Sequence, residues 1–534
     1  MARAKSGTKA QAKSSRGVES YSELGGWLWS AASKIRGPVD APRYKDYILP
    51  LLFLKRLSDR YDFELAELAK KLTKGDLTKA ETLVKVDPQL VTFALPVTSR
   101  WDALLKPVTK GDSLGARVTS VLRGLAKVSP RLDFMVNTID FNAETQGQRV
   151  LDDPGLQLLL TTLSERRLGP NDCEPDVLGR AYEYLLQKFA EEGAQSGGEF
   201  FTPRSAGVLM ARLLDPQPGM SVYDPTCGSA GLLLKCHLHW LAKYGGQKGK
   251  VKPLGVYGQE RQSASYVIAK MNALLLDMAA DIQIGDTMAN PRFLVKSRLQ
   301  RFDRVVANPM WNQAFAESTY ANDTFDRFVY GDEYPPASSA DWGWIQHMLA
   351  SLADGGRMAV VIDTGAGSRG SGDGGKSKER AIRKAIVEKD LVEAVVLMPD
   401  NMFANTSAPA LVMVLSKKKA HPGEVLMIDA SAQFTKGRPK NEMTDAQVDR
   451  VAAAFAAWTT ETALSAVVTL ADIAARDWAL APQRYVTAAA GKRMLSLDEA
   501  LAAYRATERD RVVADRALEE ALKKLHAGTT VGTA

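Results

Sequence analysis

Asn308 is followed by Pro309, Met310 and Trp311, a short run whose groups suit an aromatic amine. The lone pair of such an amine is delocalised into its ring, so a site must hold the nitrogen in a reactive geometry. The Asn308 amide oxygen and the Pro309 carbonyl can each accept one amine hydrogen, and the Trp311 ring can stack on a flipped base. Three other segments fall in order before it: Phe200-Phe201-Thr202-Pro203-Arg204, then Asp224-Pro225-Thr226-Cys227-Gly228-Ser229-Ala230-Gly231, then Glu260 at the end of Val256-Tyr257-Gly258-Gln259-Glu260. Gly228 and Gly231 let the backbone turn tightly at a helix start, where a Cβ would block a ligand. Glu260 suits two ribose hydroxyls, and Asp286, after Ile282-Gln283-Ile284-Gly285, suits the amino group of a cofactor's adenine. Alone, each segment is also met as an ordinary turn or a solvated acid. Their shared order at successive strand ends reads as a methyl-transfer site, in which a sulfonium methyl is held in line and positioning supplies much of the acceleration.

Short β-rich runs must carry these residues. Ser221–Tyr223, Gly255–Tyr257, Asp281–Ile284, Arg304–Ala307, Met358–Ile362, Val392–Met398, Ala410–Leu415 and Val425–Ile428 alternate with helical sequence, which implies an α/β fold with a mostly parallel sheet wrapped by helices. Ligands of such sheets bind beyond the carboxyl ends of the strands, where the four segments sit. Before residue 168 the chain reads as helical, with Pro50 expected to kink or interrupt the run from Tyr47 to Leu57. The turn-like Leu168-Gly169-Pro170-Asn171-Asp172 marks a boundary, with a helix expected from Tyr182 to Glu191. Past residue 440 the chain is Ala-rich and reads as helical, ending in a charged amphipathic segment from Ser496 to Leu525. The expected division is a basic tail at 1–20, a helical domain at 21–167, the catalytic α/β domain at 168–485 and a helical C-terminal extension at 486–534.

With 534 residues, 45% hydrophobic and 25% charged, the chain is long enough for two or three domains and is not disordered as a whole. Its 69 basic and 62 acidic residues leave +7, a mild bias towards a polyanionic partner. Cys173, Cys227 and Cys236 form no CxxC pair, which points to a reducing compartment and a cytoplasmic location. The first twenty residues carry Arg3, Lys5, Lys9, Lys13 and Arg16 without an apolar h-region, and no later run is long enough to span a bilayer.

Two rival patterns occur. Gly370-Ser371-Gly372-Asp373-Gly374-Gly375-Lys376-Ser377 satisfies the phosphate-loop spacing of an ATPase, but Thr364 to Arg369 separate it from its strand, and matches arise easily in so Gly- and Ser-rich a segment. A basic loop touching DNA phosphates through Lys376, Lys378 and Arg380, or a plain surface loop, is the better reading. Cys236, His237 and His239 invite a metal, yet adjacent helical residues face different ways and no second ligand pair is apparent, so no metal is expected.

The chain resembles the modification subunit of type I restriction-modification systems, an adenine-N6 DNA methyltransferase that uses S-adenosylmethionine (SAM). The resemblance runs from about residue 22 to 445. Beyond the segments above it takes in Gly25-Gly26-Trp27-Leu28-Trp29, Lys45-Asp46-Tyr47-Ile48-Leu49-Pro50-Leu51-Leu52-Phe53-Leu54-Lys55-Arg56, Gly198-Glu199-Phe200, Gly285-Asp286-Thr287, Asn405-Thr406-Ser407-Ala408-Pro409 and Lys436-Gly437-Arg438-Pro439-Lys440-Asn441. It implies a Rossmann-like SAM-dependent methyltransferase domain. Glu199, Phe200, Phe201, Thr202, Pro203 and Arg204, with Gly228, Ser229, Ala230, Gly231 and Glu260, would line the SAM site, and the Asn308 motif would hold adenine. It further implies double-stranded DNA as substrate, a separate specificity subunit that reads the sequence, a second copy of this chain in the complex, and a restriction subunit for cleavage. Relatives of the adenine motif also methylate RNA or glutamine side chains. Ala230 stands where many members have Gly, and Met310 replaces the second Pro of the usual motif, so a catalytically impaired scaffold subunit is the alternative.

Overall fold

The computed structural model describes residues 21–35, 39, 44–107, 112–137, 140–145, 148–172, 202–247, 249–276, 278–372, 377–403, 406–438, 440–487 and 497–528. The first segment is helical because its apolar residues recur at helical spacing: Leu24, Trp27, Leu28 and Ala31 are the buried stripe of α1 (Tyr21–Lys34). Helix α2 (Tyr44–Leu72) runs unbroken through Pro50, so the expected kink or break does not end it. Tyr47, Ile48, Leu51 and Leu52 around that proline are buried, and this packing offsets the hydrogen bond that proline cannot donate. Ser113 caps α3 (Leu114–Gly124) by accepting from Ala116 N, and Asp152 caps α4 (Asp153–Leu163) by accepting from Gly155 N. The indole of Trp27 donates to Thr162 O at 2.9 Å, tying α1 to α4, and buried Asp59 of α2 accepts from Leu168 N at 2.7 Å.

Beyond Thr202 the helices α5 (Arg204–Leu214), α6 (Gly231–Tyr244), α7 (Ser263–Leu275), α8 (Asp341–Ala350), α9 (Lys378–Glu388) and α10 (Asp445–Ala457) surround one nine-stranded sheet. Its strands are β1 (Ser221–Asp224), β2 (Gly255–Glu260), β3 (Ala280–Ile284), β4 (Phe302–Ala307), β5 (Leu352–Asp363), β6 (Val392–Leu397), β7 (Ala410–Ser416), β8 (Glu424–Asp429) and β9 (Ser465–Thr469). The spatial order is β9-β8-β6-β7-β5-β4-β1-β2-β3. From β3 to β5 all neighbours are parallel; β7 enters antiparallel between β5 and β6, and β9 closes the far edge antiparallel to β8. Strand β9 corrects the reading of this region as helix. Its residues Ser-Ala-Val-Val-Thr are largely β-branched, and Ala466 and Val468 are buried against the sheet.

Alternate strand residues serve two cores, as the period of two requires. Val222, Val306, Val361 and Val396 pack with α5, α6 and α10 on one face, and Tyr223, Val305, Val360 and Val395 pack with α8 and α9 on the other. Helix α7 belongs to both parts of the molecule: Ala269 joins the sheet core, while Val267, Ile268, Met271 and Leu274 complete the core of the N-terminal helices. Because β1 lies between β2 and β4, the chain leaves it towards one side and returns on the other. This is the switch point at which parallel sheets open a crevice beyond their carboxyl ends. Residues 487–534 form a separate unit containing α11 (Leu497–Gly528), on which Leu501, Tyr504, Val512, Val513 and Leu518 are exposed.

Candidate active site

The turn after β1 is built from backbone geometry that its sequence permits. Asp224 ends the strand and is buried, and its Oδ1 accepts from Thr226 N at 2.9 Å, which bends the chain at once. Cys227 N donates to Gln259 O at 3.0 Å, fastening the turn to β2. Gly228 has φ +53° with open space where a Cβ would stand, so its backbone presents an uncovered cradle. Ala230 adopts φ +64° at the start of α6 and is fully buried. A left-handed alanine costs about 1–2 kcal/mol relative to its ordinary conformation, a strain glycine would not feel. Asn272 Nδ2 of α7 donates to Ser229 O at 2.9 Å and supports the turn from behind.

Two acids face this turn. Glu260 is oriented by backbone donors at both oxygens, Gly228 N at 2.9 Å and Gln262 N at 2.6 Å. Asp286 Oδ1 accepts from Met288 N at 3.0 Å and Ala289 N at 3.2 Å, while Oδ2 lies 3.5 Å from Arg261 Nη1. The loops are bonded to one another: Thr287 Oγ1 donates to Pro225 O at 2.6 Å, and the fully buried Gln259 accepts from Arg292 N at 2.9 Å and donates to Asn290 O at 3.0 Å. Arg327, paired with Asp323, donates to Thr287 O at 3.1 Å and Met288 O at 2.7 Å. Burial pushes the Asp224 carboxyl up to about 8, and the Glu260 charge adds to that effect. Asp224 therefore serves the turn from inside rather than facing the cleft.

The amide of Asn308 is fixed at both ends. Its Nδ2 donates to Thr202 Oγ1 at 2.9 Å and its Oδ1 accepts from Trp311 Nε1 at 3.2 Å. An indole nitrogen only donates, so this contact decides which end of the amide is oxygen. Trp311 packs its ring 5.1 Å from that of Phe403.

Thr226, Gly228, Glu260, Asp286, Asn308 and Met310 line a single open cleft. Gln259, Arg261, Gln262, Ser265 and Thr287 add to its wall, and Gln313, Phe315 and Trp344 close the side beyond Met310. The residues fit a nucleoside-bearing ligand: a cradle without a Cβ at Gly228, a backbone-oriented carboxylate at Glu260 and a second acid at Asp286. Other expected residues are either outside the described residues or off this lining. Glu199, Phe200 and Phe201 fall outside the described residues. Pro203 is buried at the start of α5, and the Arg204 side chain is exposed and pairs with Asp445 of α10 at 3.1 Å. Ser229, Ala230 and Gly231 shape the turn behind the cleft wall, and Pro309 and Trp311 are not on its lining. Arg261 and Gln262 follow Glu260 directly, so the strand-end rule reaches them; Trp344 carries no local signal, because only the return of α8 to the sheet brings it there.

The rival patterns are also placed. Residues 373–376 of the phosphate-loop match lie outside the described residues. Ser377 Oγ accepts from Arg380 N as the cap of α9, Lys378 lies 3.4 Å from Glu317, and Arg380 is bonded to Asp477. His239 pairs with Asp215 at 2.9 Å, and among the described residues no group of His, Cys, Asp and Glu is arranged to hold a metal ion.

The family described as N-6 DNA Methylase matches residues 173–493, and the one described as HsdM N-terminal domain matches residues 24–161. The MjaVIII methylase subunit, from a type I restriction enzyme of Methanocaldococcus jannaschii, is 30% identical over 488 residues, covering 88% of this chain and 78% of its own. The MjaIX methylase subunit of the same organism is 29% identical over 488 residues, covering 86% and 83%. The crystal structure of the type I restriction-modification methyltransferase subunit from Streptococcus thermophilus superposes with a TM-score of 0.72 at 26% identity, covering 88% of this chain and 100% of that one.

Proposed function

The chain belongs to the N-6 DNA methylase family, among the methylase subunits of type I restriction enzymes, and we propose that its cleft binds SAM beside Asn308. It is thus an adenine-N6 DNA methyltransferase subunit, and what its own residues do follows from their arrangement. The observation that carries the assignment is that Gly228, Glu260, Asp286 and Asn308, from four successive parallel strand ends, face one cleft.

When bound, SAM supplies an electrophilic methyl group on its sulfonium. Gly228 admits the ligand close to the backbone, the Glu260 carboxylate accepts from the ribose hydroxyls, and Asp286 accepts from the adenine amino group. The target adenine leaves the DNA stack, and the Asn308 Oδ1 and Pro309 carbonyl accept its two N6 hydrogens. These bonds turn the nitrogen lone pair towards the methyl carbon, which is an orientation effect rather than proton abstraction. Thr202 and Trp311 keep the Asn308 oxygen facing its target. Sequence recognition belongs to a specificity subunit, with a second copy of this chain and a restriction subunit in the full complex; the +7 charge favours the DNA partner.

Calorimetric titration of the purified chain with SAM, and separately with ATP and magnesium, tests the reading. Saturable SAM binding is expected. Asn308→Ala abolishes transfer in the assembled complex while leaving SAM affinity within about three-fold, since it acts on the base. Loss of SAM binding in that variant, or ATP binding in place of SAM by the native chain, overturns it.

A further inference from the structure

The turn that carries Asn308 is gripped from outside the cleft. Asn312 follows it in the left-handed region at φ +52°, and its N–H donates to Asp341 Oδ1 at 2.9 Å. Ala340 N donates to Gln313 O at 2.9 Å and Phe315 N donates to Ala337 O at 3.0 Å, so the segment forming the far cleft wall is stapled to the run that enters α8. Asp341 is completely buried, and its Oδ2 accepts from Arg369 Nη2 at 2.7 Å and from Ser339 Oγ at 3.3 Å.

Arg369 is a hub. Its Nη1 lies 2.6 Å from Asp363 at the end of β5, its Nε lies 2.5 Å from Glu379 of α9, and its carbonyl accepts from Arg383 Nη2 at 3.0 Å. None of Asp341, Arg369, Asp363 or Glu379 lines the cleft. A buried carboxylate without a counter-charge is strongly disfavoured. Burial raises the Asp341 carboxyl, and the Asn312 N–H and the Arg369 guanidinium oppose that rise.

We propose that Arg369 is a positioning residue for methyl transfer: acting through Asp341 it clamps the Asn312 N–H and so holds Asn308 and Pro309 where the target amine must dock. The proposal rests on the reading of Asn308 given above. Four forms of the chain test it: Arg369→Met, Arg369→Lys, Asp341→Asn and the double variant Asp341→Asn with Arg369→Met. Each is assayed alone for SAM affinity and amide hydrogen exchange, and in the assembled complex for transfer.

Arg369→Met is expected to accelerate exchange across residues 308–315 and to lower kcat about 10- to 100-fold, with SAM affinity and the DNA KM within about three-fold. Arg369→Lys restores part of kcat. In the Asp341→Asn background, Arg369→Met has a smaller effect, because a neutral amide still accepts the Asn312 N–H and needs no counter-charge; the loss that persists is that of the Arg369 pairs with Asp363 and Glu379. An unchanged kcat and unchanged exchange in Arg369→Met, or an equally large loss in both backgrounds, overturns the proposal. Should Arg369→Met fail to fold, a further variant, Asp341→Ala, which removes the acceptor of the Asn312 N–H, decides: accelerated exchange across residues 308–315 with a lowered kcat supports the clamp, and native exchange with native kcat overturns it. Absence of SAM binding in the unaltered chain would instead refute the functional reading, and the inference with it.

Discussion

At the scale of single residues, Asp224 is a motif acid buried in the turn and off the cleft lining. Its carboxyl is raised from 3.8 to about 8 chiefly by burial, so between those values the native chain holds a proton that the unfolded chain has released. The corresponding stability is complete below about pH 4 and disappears as pH rises through about 8, with a slope of up to about 1.4 kcal/mol per pH unit. Asp224→Asn retains an acceptor for Thr226 N and has no proton to lose. Denaturant midpoints measured from pH 5 to 9 are therefore expected to fall more steeply for the native chain than for Asp224→Asn; parallel curves would show that Asp224 is ionised throughout. Met310 marks a second single-residue effect. Met310 is on the cleft lining while Trp311 turns to Asn308 and Phe403, so the exchange of proline for methionine falls on the cleft wall, and the groups that grip the Asn308 amide are in place.

At the scale of elements, the site depends on how closely β2 approaches the turn after β1. A Cβ on Gly258 would stand 2.9 Å from Cys227 Sγ and 3.1 Å from Cys227 Cβ, and 2.9 Å from Ile282 Cδ1. Gly258→Ala is expected to destabilise by about 1–3 kcal/mol in urea unfolding. By displacing Cys227 and Gly228 it should also weaken SAM binding, whereas adding Cys227→Ala should recover part of both losses. A Gly258→Ala chain with native SAM affinity would show that the turn is not set by this contact. The sheet itself was largely legible, because eight apolar β-rich runs separated by helical sequence leave few alternatives. Strand β9 was not, since five residues inside an Ala-rich stretch give too short a signal, and their pairing with β8 comes from a neighbour distant in sequence. Helix α2 passed through Pro50 for the same kind of reason: local propensity gave way to burial on all sides.

For the molecule as a whole, the cleft lies entirely within residues 1–486, and residues 487–534 form a unit of their own. A chain ending at residue 486 is accordingly expected to bind SAM with native affinity. If α11 docks on a specificity subunit, through residues such as Leu501, Tyr504 and Leu518, the shortened chain also fails to assemble; calorimetry and size-exclusion chromatography with that partner read the two effects apart. Loss of SAM binding on truncation would place the extension in the site. Among the described residues no helix is long and apolar enough to cross a membrane. The place of Gly228, Glu260, Asp286 and Asn308 on one cleft was readable from the chain because strand ends announce themselves locally and these residues needed only their order. What tertiary structure alone decided was the supporting framework. Trp344 lines the cleft, Arg327 holds the loop after β3, Arg204 turns outward to Asp445, and Arg369 grips Asp341 behind the turn that carries Asn308. These contacts join segments tens to hundreds of residues apart, so no local pattern encodes them; those of Arg327 and Arg369 exist only once folding has withdrawn the charges from water and gathered their partners around them.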